Sequence, residues 1–179
     1  MFRKVIKLLN IFLIITFSAT AQWKVVKSVS ITFKIKNAGI GVDGSFKKAG
    51  VQVSIDDTNP SVSTFSGVAE ANSVSTGINL RDTHLKEKEE FFNVKKFPTL
   101  TMKSVSVVLK TPGVYTVTWD LTMKGITRRF TSQVNAIPEG NLLHLSTEFK
   151  INRNEWKVGG NSMTMGDIVT IKLKSTISK

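Results

Sequence analysis

The chain has no cysteine, and that absence closes several routes at once. Thiolate metal centres and thiol nucleophiles are excluded. Disulfide staples are excluded as well, so stability must come from burial and sheet hydrogen bonding. Lipid acylation at an N-terminal cysteine is equally ruled out. Histidine is almost as scarce, with only His84 and His144 present. A metal site needs three or four ligands, and only Asp82 and His84 lie close together in the sequence. Acidic residues number 13 against 25 lysines and arginines, and they form no acid–base pair that stands out. Asp56 and Asp57 sit in a turn, while Glu87, Glu89 and Glu90 lie among lysines. A linker, an internal repeat and a low-complexity tract are also missing, so the chain reads as one domain.

What is present begins with a leader. Arg3, Lys4 and Lys7 make a basic start, Leu8 to Phe17 is apolar apart from Asn10 and Thr16, and Ala19-Thr20-Ala21 offers a small-residue cleavage site before Gln22. This is the layout of a secretory signal peptide over residues 1–21. The apolar run is about ten residues, half of what a spanning helix needs. The expectation is a domain over residues 22–179, exported to the periplasm, with secretion as the lesser alternative.

The formal net charge is +12, or +9 without the leader's three cations. Lys34 and Lys36 flank Ile35, and Lys172 and Lys174 flank Leu173, which puts these lysines on the outer face of strands. The adjacent pairs are Lys47-Lys48, Lys95-Lys96 and Arg128-Arg129. A dispersed basic surface of this kind is mostly solvated, with weak contact to an anionic membrane surface as the functional alternative. Nucleic acid is not an expected partner, because no basic cluster exists to grip it.

Alternation with period two dominates the chain. Val29, Ile31, Phe33 and Ile35 alternate with polar residues; so do Tyr115, Val117, Trp119, Leu121 and Met123; so do Leu143, Leu145, Thr147, Phe149 and Ile151. Turn residues at Asn37-Ala38-Gly39, Pro112-Gly113, Lys124-Gly125 and Pro138-Glu139-Gly140-Asn141 separate the runs. About eight strands are expected, near 26–37, 40–48, 50–56, 62–76, 99–110, 114–124, 126–137 and 142–153, with a last one near 166–178. The charged stretch near 80–92 reads as one short helix. Long, half-buried, hairpin-connected strands favour an all-β, antiparallel, up-and-down eight-stranded barrel. At that strand number the interior holds packed side chains or one small ligand.

Several motifs carry less than they promise. Gly39-Ile40-Gly41-Val42-Asp43-Gly44 fits the dinucleotide pattern by letters, but a strand follows where a helix must begin; a glycine-rich hairpin is the reading. Gly160-Asn161-Ser162-Met163-Thr164 lacks the last glycine of a nucleophile elbow. Arg128 is more informative. With Lys124-Gly125 as a two-residue turn, Met123 faces Ile126, Leu121 faces Arg128 and Trp119 faces Phe130. Arg128 then shares a face with Ile126, Phe130 and Val134, where it either forms an interior ion pair, snorkels to the rim, or meets a ligand's polar head. The segment Ser66 to Ser73 is small on both faces, which leaves room for a slender apolar ligand.

An ordered set of motifs resembles the YceI-like family from about Lys27 to the C-terminus. Ile31-Thr32-Phe33 followed by Gly41 to Phe46 looks like its opening hairpin. Ser73-Val74-Ser75-Thr76, Arg81-Asp82-Thr83-His84-Leu85, Phe91-Phe92 and Phe97-Pro98 form the most specific block, and Leu121 to Thr127 matches a strand–glycine–strand element. Asn152-Arg153-Asn154-Glu155-Trp156 resembles a late motif in which Lys157 stands where a glycine is expected. The resemblance implies a lipocalin-like barrel whose apolar interior holds an isoprenoid-type lipid, a quinone tail or prenyl phosphate, with no cofactor and no catalysis. The expected apolar lining is Phe33, Ile35, Phe46, Ala69, Ala71, Phe92, Val117, Trp119, Leu121, Phe130, Leu145, Phe149 and Trp156. Arg81, His84, Arg128 and Arg153 are the expected polar end. An exported hydrolase or isomerase acting on an apolar substrate, and a filled barrel serving only as a stress or surface-interaction module, are the alternatives.

Overall fold

A computed structural model of the chain describes residues 25–56 and 58–178; the leader assigned to residues 1–21 lies outside the described residues. The strands are β1 (Val25–Asn37), β2 (Ile40–Phe46), β3 (Ala49–Ser54), β4 (Thr64–Glu70), β5 (Val74–Ser75), β6 (Thr99–Thr111), β7 (Val114–Met123), β8 (Ile126–Glu139), β9 (Leu142–Asn152) and β10 (Ile168–Ser178). One helix, α1 (Asn79–Glu87), sits between β5 and β6. All pairings are antiparallel in one curled sheet of order β3-β4-β6-β7-β8-β9-β10-β1-β2-β5. The sheet thus has ten strands where eight were expected. The 62–76 stretch is not one strand: β4 stops at Glu70, a 3-10 turn occupies Ala71–Ser73, and only two residues resume as β5. Ser73 causes the break, since its hydroxyl donates to the Glu70 carbonyl and accepts from Lys48 N–H. Serine side chains compete in this way with strand ladders.

The two ends of the sheet are joined by the chain itself. β2 lies beside β1, then the backbone bends at Lys47 and Lys48 and continues as β3 beside β4. Lys47 N–H bonds the Ser73 carbonyl and Glu70 N–H bonds the Lys48 carbonyl across the bend. One stretch of chain therefore serves both ends, which curls the sheet into a barrel-like cup.

Two-residue turns set the register. Ala38 and Gly39, then Lys124 and Gly125, both have positive φ, the combination whose twist matches a hairpin. Met123 faces Ile126, Leu121 faces Arg128 and Trp119 faces Phe130. The seam between β8 and β9 is different. Its ladder runs only from Val134–Thr147 to Glu139–Leu142, so the first half of β8 diverges from the second half of β9. The Phe130 and Phe149 rings meet across that gap, with centroids 4.6 Å apart.

The interior is packed at one end and hollow at the other. Val107, Tyr115, Val117, Trp119, Val134 and Leu145 belong to a buried cluster with Phe65. Trp119 Nε1 donates to Ser132 Oγ (2.9 Å), which lies 3.0 Å from Thr147 Oγ1. The boundary falls on one row of the ladder. Ile31 pairs with Leu173, and Leu173 pairs with Thr147. Beyond that row the inward residues of β1, β7, β9 and β10 face a cavity.

Candidate functional site

The cavity has a volume of about 430 Å³, within the range of small-molecule sites. Its walls come from β1, β2, β4, β6, β7, β9 and β10, from α1 and from the loop 157–167. Phe33, Phe46 and Phe92 form a continuous aromatic wall, with centroids 5.8 Å and 5.6 Å apart in tilted and edge-on contacts. Gly67, Val68 and Ala69 of β4 supply a low wall opposite larger residues. Among the described residues no carboxylate lines the cavity, and no group of three His, Asp or Glu is placed to hold a metal.

The helix brings two polar side chains to the cavity. Arg81 and His84 are three residues apart on α1 and both reach the wall, with Leu85 beside them. The helix start is fixed by Asp82, which is buried and accepts from both the N–H and the hydroxyl of Thr76. Burial pushes its carboxyl up, but the bonds from Thr76 and Ser75 and the nearby Lys86 outweigh this and hold it below the usual carboxylate range. Arg81 donates from Nε to Thr76 Oγ1 (2.7 Å) and from Nη2 to the Thr76 carbonyl (3.0 Å). Its Nη1 makes no hydrogen bond among the described residues, and neither does the His84 ring, so both residues reach the wall with hydrogen-bonding capacity unspent.

Arg153 also reaches the wall, but it is spent. Its side chain is 4% exposed, and all five N–H groups have acceptors. Nε donates to the Gly166 carbonyl, Nη1 to those of Val158 and Gly160, and Nη2 to the Met165 carbonyl and Asp167 Oδ1. Arginine has five donors in total, so none remains for a ligand. The residue shapes the loop 157–167. Lys124 does similar work from the β7–β8 turn. Its Nζ donates to the carbonyls of Glu89 (2.8 Å) and Lys157 (2.7 Å). Burial lowers its pKa, more than Glu90 and Glu89 raise it.

Of the expected lining, the structure places Phe33, Ile35, Phe46, Ala69, Phe92, Leu121 and Phe149 on the cavity wall. Val117, Trp119 and Leu145 lie in the packed end instead. Ala71 falls in the 3-10 turn, packed against Val74 and Phe92. Phe130 backs Phe149 from outside the wall. Trp156 is buried away from the cavity, its Nε1 donating to the Leu121 carbonyl (3.0 Å). For Val117, Trp119 and Leu145 the reason is depth: alternation identifies the inward face but not the position along the axis; Ala71 and Trp156 instead fall in 3-10 turns, where alternation does not apply. Arg128 is a correction of another kind. It is exposed and among the described residues bonds only the Thr127 carbonyl, because inward parity encloses nothing where β8 has left β9. Arg129 pairs with its cross-strand partner Asp120 through two 2.8 Å bonds on the outer face. Ile31, Ile171 and Leu173 are wall residues legible in the alternation but not singled out. Val158 and Met165 come from the loop, where no pattern announces them.

A cup of antiparallel strands, packed at one end and hollow at the other with two polar side chains on its wall, defines a small-molecule binding fold. The chain belongs to the YceI-like family, whose domain matches residues 23–177. It is 35% identical over 128 residues to a UPF0312 protein of Yersinia enterocolitica, covering 69% of this chain and 66% of that one. A UPF0312 protein of Yersinia pestis is 37% identical over 112 residues, covering 62% and 57%. The chain thus spans just under two thirds, or less, of the length of these curated relatives. Among solved structures, BcnA of Burkholderia cenocepacia has a TM-score of 0.78 at 22% identity, over 83% of this chain and 95% of that one. A polyisoprenoid binding domain from Saccharophagus degradans, implicated in plant cell wall breakdown, has a TM-score of 0.69 at 13% identity, over 88% and 98%. At these identities the likeness to the two structures is one of fold.

Proposed function

We propose that the chain is an exported, periplasmic binding or carrier protein for an isoprenoid-type lipid, such as a quinone tail or prenyl phosphate. The observation that carries this is the cavity: about 430 Å³, walled by five phenylalanines and by aliphatic residues, with Arg81 and His84 as the polar end. Burying an apolar chain there contributes about 25 cal/mol per Å² before ordering costs. The free guanidinium N–H suits an anionic or carbonyl-bearing head. Family membership and the polyisoprenoid binding of the Saccharophagus degradans domain support the same ligand class. Among the described residues no carboxylate lines the wall, which favours binding over acid–base catalysis.

Native mass spectrometry of gently extracted protein tests the reading. A co-purifying apolar ligand is the expected result, as is a rise in melting temperature on adding prenyl phosphate. Apo protein with no thermal response to prenyl lipids overturns it. Arg81→Ala should weaken prenyl phosphate more than the corresponding prenyl alcohol.

A further inference from the structure

We infer that the open end of the cup docks on an anionic lipid bilayer. Two independent features converge there. The first is an apolar rim. Ile78 and Leu80 line the cavity and are 53% and 67% exposed. On another segment, Ile40 at the β1–β2 hairpin is 72% exposed, and Met163 is fully exposed. These two are neighbours: Ala38 N–H bonds the Thr164 carbonyl, and Asn37, the cross-strand partner of Ile40, bridges Met165. Asn37 and Met165 themselves line the cavity, so the exposed apolar residues ring its mouth. Large apolar side chains gathered at one site mark an interaction surface, whereas scattered ones do not.

The second feature is charge. Lys34, Lys36 and Lys150 project from the outer faces of β1 and β9 next to the mouth; Thr170 of β10 pairs with both Lys34 and Lys150. Lys34 has an ion-pair partner in Asp43, whereas Lys36 and Lys150 have none among the described residues. Apolar tips that insert at the headgroup level, flanked by unpaired lysines, are what an anionic surface attracts. Among the described residues no helix is long and apolar enough to cross a membrane. This surface is argued from the rim alone and stands apart from what the cavity holds.

The test uses the chain from Gln22 onward, which keeps every described element. It is sedimented with vesicles of phosphatidylcholine alone, or with about a third of phosphatidylglycerol. The expected result is binding that depends on phosphatidylglycerol and weakens with salt. The Ile40→Ser/Met163→Ser variant should lose about tenfold in partitioning, and Lys36→Ser/Lys150→Ser about tenfold on anionic vesicles only. Ala69→Trp, which alters the cavity and not the rim, should bind vesicles unchanged. On the unmodified protein, hydrogen exchange should slow at residues 36–41 and 161–168 when vesicles are added. Absence of vesicle binding, or protection confined to residues 105–109 at the packed end, overturns the inference.

Discussion

The ring of Phe33 lies directly over Gly44, its partner across the β1–β2 ladder. A Cβ at Gly44 would stand 2.2 Å from the ring's Cζ. The last glycine of the dinucleotide-like motif is thus required by an aromatic wall. Gly44→Ala should push the Phe33 ring off its seat. We expect a loss of about 1–3 kcal/mol in urea unfolding and weaker uptake of an apolar fluorophore, because the displaced ring enters the cavity.

Ala69 and Ala71 are two residues apart but belong to different surroundings. Ala69 faces the cavity, whereas Ala71 is 1% exposed within a closed cluster. Ala69→Trp should fill the hollow, abolish lipid uptake and leave the melting temperature nearly unchanged. Ala71→Trp should cost about 3 kcal/mol or prevent folding, since it must displace the buried Val74 and Phe92 packed against it.

Asp82 sets an acid limit on the helix. Its carboxyl is held below the ordinary value when folded. The stability it supplies is therefore present above the unfolded value near 4 and lost as pH falls through the lower, folded one. Unfolding free energy should drop below about pH 4. Asp82→Asn should be weaker by about 1–3 kcal/mol at neutral pH, with a shallower acid decline. Denaturant curves across that range measure both.

Lys157 adopts φ +53° at the end of the Arg153–Trp156 turn, a left-handed conformation that costs a side-chain-bearing residue about 1–2 kcal/mol. Its structural task is done by its carbonyl, which accepts from Lys124. Lys157→Gly should therefore keep the loop and stabilise the chain by about 0.5–1 kcal/mol, read as a higher melting temperature.

Much of this fold is legible in the sequence, because period-two alternation and paired turn residues are local signals. The register around Lys124-Gly125 follows from the turn alone. The division between filled and hollow ends does not, since Trp119 and Leu121 share a face yet fall on opposite sides of the boundary. The break at Ser73 is not legible, because a small-residue run has the pattern of a weak strand. Arg153 and Arg128 show the same limit for charge. One is buried against five carbonyl and carboxylate oxygens of the patternless loop that follows it, the other lies open to solvent, and the residues flanking each in sequence distinguish neither.

The divergence of β8 from β9 leaves one stretch inside the sheet where the wall is held by packed rings and not by a ladder of amide bonds. No rung of the β8–β9 ladder lies at Phe130 or Phe149, so the contact between their rings is what joins the two strands there. A side chain exchanged at either ring therefore changes how tightly the cup is sealed there while every amide rung of the sheet is left in place.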